Sequence, residues 1–182
     1  MIFIKHRQPH INVRGLHLIC RFIFSILYIV KQRIYIDTSI VGGFFDKEFA
    51  EPTKALFEKL KKKEVAFVIS NVLEKELLEA PQQVKDLLLQ YEDCELEKVE
   101  LSQEAESLAN AYINAKVVGA TSLEDCQHIA IATINKVDIL ASRNFKHIVN
   151  INRIRGYNGT NIKMGYPTLE IRNPRELIDY EN

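Results

Sequence analysis

The sequence predicts one three-layer α/β/α domain with a mostly parallel central sheet. Three observations point there. Short apolar runs alternate with helical patterns of about 10 to 15 residues, the arrangement that right-handed crossovers between parallel strands require. Val65-Ala-Phe-Val-Ile69 is an unbroken apolar run, as expected of a strand covered on both faces. The composition of the 182-residue chain, 47% hydrophobic, 9% aromatic and 26% charged, is that of a packed globular protein.

The elements follow in order. Ile34-Tyr-Ile36 is a short β-rich run, stopped by Asp37-Thr38-Ser39 with Gly42-Gly43 behind it. Pro52 in a first turn opens a helix to about Lys63, with Ala55, Leu56 and Leu60 on its apolar face. After the Val65–Ile69 run, Ser70 starts a helix through Ala80 that Pro81 stops or kinks. A short helix is expected from Gln82 to Gln90 and a weaker strand from Leu96 to Leu101. Ser102 then caps a helix to about Ala115. Thr121-Ser-Leu-Glu124 reads as a capping box before a helix from Leu123 to Asn135. Val137 to Ala141 is a further strand. The tail holds a helix, a strand near Thr168-Leu-Glu-Ile171 and a closing turn at Pro174.

Charge is distributed unevenly. The net charge is zero, from 24 basic and 24 acidic residues, so the chain is not a general polyanion binder. No acid precedes Asp37, whereas Lys5, Arg7, Arg14, Arg21, Lys31 and Arg33 do, leaving 18 basic against 24 acidic residues beyond. The leader carries the apolar run Phe22–Val30, nine residues where a membrane span needs about 20, and Lys31-Gln32-Arg33 follows in place of a small-residue cleavage site. Residues 1–31 are therefore read as an extension ahead of a working start near Val30, with 32–182 as the working domain and no membrane association. The three cysteines, Cys20, Cys94 and Cys126, form no CxxC pair, which excludes a disulfide framework or zinc finger and suits the cytoplasm.

Sites in parallel α/β sheets form where strands end. The first strand delivers Asp37 there, Glu76 follows the second in the next helix, Asp125 lies in the first turn of the capped helix, and the fourth strand ends at Ser142-Arg143-Asn144. Converging carboxylates raise one another's pKa, and a divalent oxygen-seeking cation, Mg²⁺ or Mn²⁺, removes that cost. His128 and His147 are isolated and no Cys/His cluster offers zinc a site.

Four blocks in order carry a resemblance: Ile34-Tyr-Ile-Asp-Thr-Ser39, Ile69-Ser-Asn-Val-Leu-Glu-Lys-Glu76, Asp125-Cys-Gln-His-Ile-Ala-Ile-Ala132, and Ile139-Leu-Ala-Ser-Arg-Asn-Phe-Lys-His147. Together they resemble PIN-domain proteins, especially the VapC-type ribonuclease toxins. The resemblance spans about Arg33 to Asn150. It implies a metal-dependent endoribonuclease in which Asp37, Glu76 and Asp125 match the first three family acids and hold Mg²⁺ or Mn²⁺. The fourth acid falls on Asn144, which brings an oxygen or orients a water but adds no charge. Ser39 and Ser142 match small hydroxyl positions beside the pocket. A small antitoxin partner and a homodimer are further implications.

Each residue also has a plainer explanation. Asp37 could cap a turn, Glu76 could share a solvated face with Glu74 and Glu79, Asp125 could serve the helix dipole, and Asn144 could shape a turn. His128 reads as a hydrogen-bonded packing histidine, His147 as a surface residue or cap, and Asp138 as structural at the opposite edge. RNA needs cations around an acidic centre. Arg143 and Lys146 flank it, whereas Lys61-Lys62-Lys63 reads as a solvated helix end. A haloacid-dehalogenase-type phosphatase fails for want of a second Asp at Ser39. The alternative that stays open is a PIN-fold module without activity.

Overall fold

The structure, a computed structural model, describes residues 31–178, so the expectation for the leader falls outside the described residues. Five parallel strands form the sheet: β1 (Gln32–Ile36), β2 (Val65–Ser70), β3 (Leu96–Val99), β4 (Ile139–Ala141) and β5 (Glu170–Arg172). Their spatial order is β3-β2-β1-β4-β5. From β1 in the centre the chain winds outward to β3, then crosses back over β1 to β4 and β5. Winding therefore reverses between β1 and β4, which opens a crevice at their carboxyl ends. Register brings Ile36 beside Ala141, so the residues that follow each strand emerge together.

Side chains alternate across the pleat. Tyr35, Val68, Leu140 and Ile171 enter one apolar cluster. Ile34, Ile36, Phe67, Ile69 and Ile139 enter the other. The first cluster is covered by α5 (Gln103–Asn114), α6 (Leu123–Ile134) and α7 (Ile151–Lys163). The second is covered by α1 (Thr38–Gly43), α2 (Ala50–Lys61), α3 (Asn71–Leu77), α4 (Gln82–Lys85) and α8 (Pro174–Ile178). The expected three-layer α/β/α architecture is present. Among the described residues, no helix is long and apolar enough to cross a membrane.

Local chemistry sets the ends. Ser70 and Ser102 cap α3 and α5 by accepting from Leu73 N and Ala105 N. Lys63, Lys116 and Lys136 end α2, α5 and α6 with φ of 61°, 57° and 49°. Each of these left-handed lysines closes a Schellman-type pair of backbone bonds, at a steric cost of about 1–2 kcal/mol relative to glycine.

Four local expectations need correcting. The capping box at Thr121 is not formed, because Ala120–Ser122 is a 3₁₀ turn and Ser122 caps α6 without a side-chain bond. A reciprocal cap occurs instead at α8, where Asn173 Oδ1 accepts from Arg175 N and Glu176 accepts from Asn173 N. That same cap makes the closing segment at Pro174 a short helix, not a turn. The helix expected over Gln82–Gln90 breaks after Lys85 and resumes as a 3₁₀ turn, Leu88–Tyr91, which lets Val84, Leu87, Leu88 and Tyr91 all reach the core. On α2 the buried face includes Phe57, while Ala55 is half-buried.

Candidate active site

Asp37 leaves β1 in extended conformation and is buried, at 4% exposure. Its Oδ1 accepts from Ile40 N at 3.1 Å and from Ser39 Oγ at 2.6 Å, and its Oδ2 accepts from Ser142 Oγ at 2.6 Å. The turn-capping role is thus present in Asp37. Burial pushes the Asp37 carboxyl above its ordinary pKa, although the neighbouring His128 and the hydroxyl and amide bonds oppose the rise.

Glu76 projects from α3 into the same region. Thr38 Oγ1 donates to its Oε2, and His128 Nε2 lies 3.2 Å from both carboxylate oxygens. Burial works against ionisation of Glu76, but the His128 and Thr38 bonds outweigh it and hold the carboxyl below the usual range. Its neighbour Glu74 turns outward to pair with Lys98 at 2.8 Å. The inward acid of α3 is therefore Glu76.

Asp125, in the first turn of α6, is half-buried. Asn144 Nδ2 donates to its Oδ1 at 2.7 Å, while Asn144 Oδ1 accepts from His147 N at 3.0 Å. The asparagine thus presents a donor to the neighbouring carboxylate and spends its oxygen on its own loop. This differs from the expected oxygen-donating role, and the cause is electrostatic: beside an anion, the amide N–H₂ is the end that is stabilised. Burial raises the Asp125 carboxyl, His147 and the Asn144 bond pull it down, and the charge of Asp37 pushes it up again.

Ser142 joins the pieces. Its hydroxyl donates to Asp37 and accepts from Asn144 N at 3.0 Å, and it lies 3.5 Å from Ser39 Oγ. One hydrogen-bonded chain therefore runs from Asp125 through Asn144 and Ser142 to Asp37, whose neighbour Thr38 binds Glu76. Among the described residues, no lysine or arginine forms an ion pair with any of the three acids. A cavity of about 320 Å³ adjoins Glu76, lined by Asn71, Lys75, Glu79, Glu124 and Gln127 among others.

The two cations chosen from the sequence diverge. Lys146 is exposed on the loop after β4. Arg143 is folded back: it donates to Ser39 O at 3.1 Å and to Asp46 at 2.9 Å, and its guanidinium lies 4.6 Å from the centre of the Phe49 ring. It packs so closely over Gly43 that a Cβ there would meet its Cδ at 2.7 Å. Arg143 fastens the loop between α1 and α2 to the end of β4, a packing role that the sequence did not suggest.

Two histidines proved closer to the acids than sequence reasoning placed them. His128 is buried on α6 and bonded to Glu76, and its packing role is combined with contact to the site. His147, expected on the surface, has a buried Nδ1 without a hydrogen-bond partner and lies close enough to lower the Asp125 pKa. Its place three residues after Asn144, in the same turn, is the signal that marked it.

The donor set suits a hard cation. Three carboxylates supply oxygen, two of them are held above their ordinary pKa by burial, and Asp37 and Asp125 repel one another. A divalent ion would relieve both effects. Among the described residues, no group of three or more His, Cys, Asp or Glu side chains stands ready-made as a metal centre. The fit is thus one of charge and donor type.

No protein-family model and no curated protein sequence matches the chain. Among solved structures, it is similar to VapBC2 from Rickettsia felis bound to a DNA fragment from their promoter, with 14% identity and a TM-score of 0.50 over 78% of this chain and 98% of that one. It is also similar to FitAB bound to the IR36 DNA fragment, with 12% identity and a TM-score of 0.50 over 78% of this chain and 94% of that one. At these identities the likeness establishes architecture: the chain has the PIN-like α/β/α fold that its four motif blocks implied.

Proposed function

We propose that this protein is a metal-dependent endoribonuclease, the toxin of a toxin–antitoxin pair. The observation that carries the reading is the convergence of Asp37, Glu76 and Asp125 on one hydrogen-bonded network, without a lysine or arginine partner among the described residues, at the sheet's topological switch point. Asp37, Asp125 and Glu76 would hold Mg²⁺ or Mn²⁺. Such an ion supplies Lewis-acid polarisation of a phosphodiester and a lowered pKa for bound water.

The chain's own groups do the rest. Ser39, Ser142 and Ile40 N fix the Asp37 carboxylate, Thr38 and His128 fix Glu76, and Asn144 fixes Asp125. Ordered acids cost less to assemble around a charged substrate than mobile ones. Lys146, exposed on the loop after β4, would offer a phosphate contact. In the reaction, water oxygen bonds to phosphorus as the P–O3′ bond breaks. The proton lost by water is balanced by one gained at O3′, leaving 5′-phosphate and 3′-hydroxyl ends.

The likeness to VapBC2 and FitAB supports the toxin–antitoxin setting and a small antitoxin as partner; a homodimer as the assembled form and action in the cytoplasm are further parts of the proposal. One observation favours a second reading, a PIN-fold module without activity: the fourth acidic position is Asn144, with its amide turned toward Asp125.

Incubation of the protein with total RNA in Mg²⁺, Mn²⁺ or EDTA separates the two. The nuclease gives metal-dependent cuts with 5′-phosphate ends that vanish in EDTA and in Asp37→Asn. RNA left intact in both metals, or cut equally by the variant, contradicts the nuclease.

A further inference from the structure

We propose that His128 is a positioning residue for Glu76, held in one tautomer by a buried hydroxyl relay from Ser70 and Tyr35. The inference rests on the nuclease reading above for its catalytic consequence. Tyr35 is fully buried in β1, Ser70 ends β2, and His128 lies in α6, each at 2% exposure or less. The Tyr35 hydroxyl is 2.6 Å from Ser70 Oγ and 2.7 Å from His128 Nδ1. His128 Nε2 then lies 3.2 Å from each Glu76 oxygen. Ser70 Oγ also accepts from Leu73 N at 3.3 Å, as the cap of α3. Both ends of the relay thus meet the helix that carries Glu76.

Hydrogen-bond satisfaction fixes the polarity. An ionised carboxylate only accepts, so the hydrogen of a neutral imidazole must sit on Nε2. Nδ1 is then an acceptor, and the Tyr35 hydroxyl donates to it. The Ser70 hydroxyl donates to the Tyr35 oxygen, and Leu73 N–H satisfies Ser70. Every hydrogen is used once. Removing the Tyr35 hydroxyl removes the group that selects this tautomer. The ring could then carry its hydrogen on Nδ1 and turn a lone pair toward Glu76, which repels the carboxylate. Tyr35 therefore governs Glu76 without touching it, as outer groups do for ligands in metal sites. Apolar packing alone does not explain the hydroxyl, since a phenyl ring would fill the same space among Val68, Ile129 and Leu140.

The test uses the full chain with Tyr35→Phe, His128→Ala, His128→Gln and Asp37→Asn. One readout is steady-state RNA cleavage, and the other is Mn²⁺ binding without RNA, followed by electron paramagnetic resonance. Tyr35→Phe and His128→Ala are expected to weaken Mn²⁺ binding and lower kcat by about 10- to 100-fold, with KM for RNA little changed. His128→Gln recovers part of the loss, because its amide N–H can still donate to Glu76. Wild-type Mn²⁺ affinity in Tyr35→Phe and His128→Ala, with only a lowered Tm, overturns the positioning role. So does a wild-type chain that binds no Mn²⁺. If Asp37→Asn cleaves like the wild type, the nuclease reading fails on its own, and the Mn²⁺ comparison still decides the relay.

Discussion

The two edges of the central sheet treat charge in opposite ways. At the amino edge, Arg33 makes a two-pronged bond to Glu97 at 2.9 and 2.6 Å. It also donates to the carbonyls of Asn135 and Lys136 at the end of α6, at 2.9 and 3.2 Å. Asp138, at the same edge, accepts from Arg33 N at 2.7 Å. Arg33 and Glu97 there meet opposite charge, and Arg33 also meets a helix end. At the carboxyl edge, Asp37, Glu76 and Asp125 meet hydroxyls, amides and an imidazole. The first arrangement stabilises a fold. The second holds acids in fixed orientation and leaves their charge for something else to balance, as a functional site does at some cost in stability.

The largest way to break the comparison is to neutralise the carboxyl edge. Asp37→Asn is expected to lower cleavage by roughly 10²- to 10⁴-fold, the range a positioned acidic group supplies. At neutral pH and without metal, the same variant is expected to raise Tm, by about 2–4 °C for each kcal/mol of relieved burial cost. Scanning calorimetry beside an RNA cleavage assay checks both. A variant that loses stability together with activity would make Asp37 a structural acid.

Asn144→Asp sharpens the contrast. It places a fourth acid beside Asp125 and deletes the donor that restrains it. The metal-free protein is expected to lose about 1–3 kcal/mol, the cost of a buried acceptor left unpaired. Added Mn²⁺ should restore more of that loss in the variant than it adds to the wild type. Urea unfolding with and without Mn²⁺ measures the difference.

Arg33→Ala tests the other edge. Its charged bonds are partly exposed to solvent, so a loss of about 1–2 kcal/mol is expected in urea, with kcat unchanged well below Tm. A loss of kcat at that temperature would tie Arg33 to the reaction and erase the distinction between edges.

The smallest effect is in the pH dependence. Burial raises the folded-state pKa of Asp37 and Asp125, so the folded chain holds those protons more tightly than the unfolded one. Their ionisation opposes folding above the raised values, and that penalty fades as pH falls through them toward the ordinary carboxylate range. Glu76 has the opposite sign: it contributes stability above its unfolded pKa, and this is lost as pH falls through its lowered folded value. The metal-free Tm is therefore expected to rise on mild acidification before it collapses in stronger acid. Asp37→Asn should flatten the rise, and calorimetry across that window reads it directly.

Much of this frame was legible in the chain. Val65–Ile69 is buried throughout because both helical layers cover β2, and an unbroken apolar run is the form such a strand takes. Asp37 was legible because a strand end and a helix cap fall on one residue. Asp125 was not separable from Glu124 by local pattern, since both acids suit the first turn of a helix. Resemblance selected Asp125, and the Asn144 bond gives it a place in the network. The inward turn of Arg143 was hidden because Asp46 and Phe49, which hold it, lie far away in sequence. His128 was read too plainly for the same reason, since Tyr35 and Glu76, its partners, come from other elements.

Mn²⁺-induced thermal stabilisation of the wild type, Asp37→Asn and Arg33→Ala tests most directly whether the three acids share an ion. Wild type and Arg33→Ala should gain the same Tm increment with the same Mn²⁺ dependence, and Asp37→Asn should gain almost none. Equal increments in all three proteins, or none in any, would contradict a shared ion at the carboxyl edge.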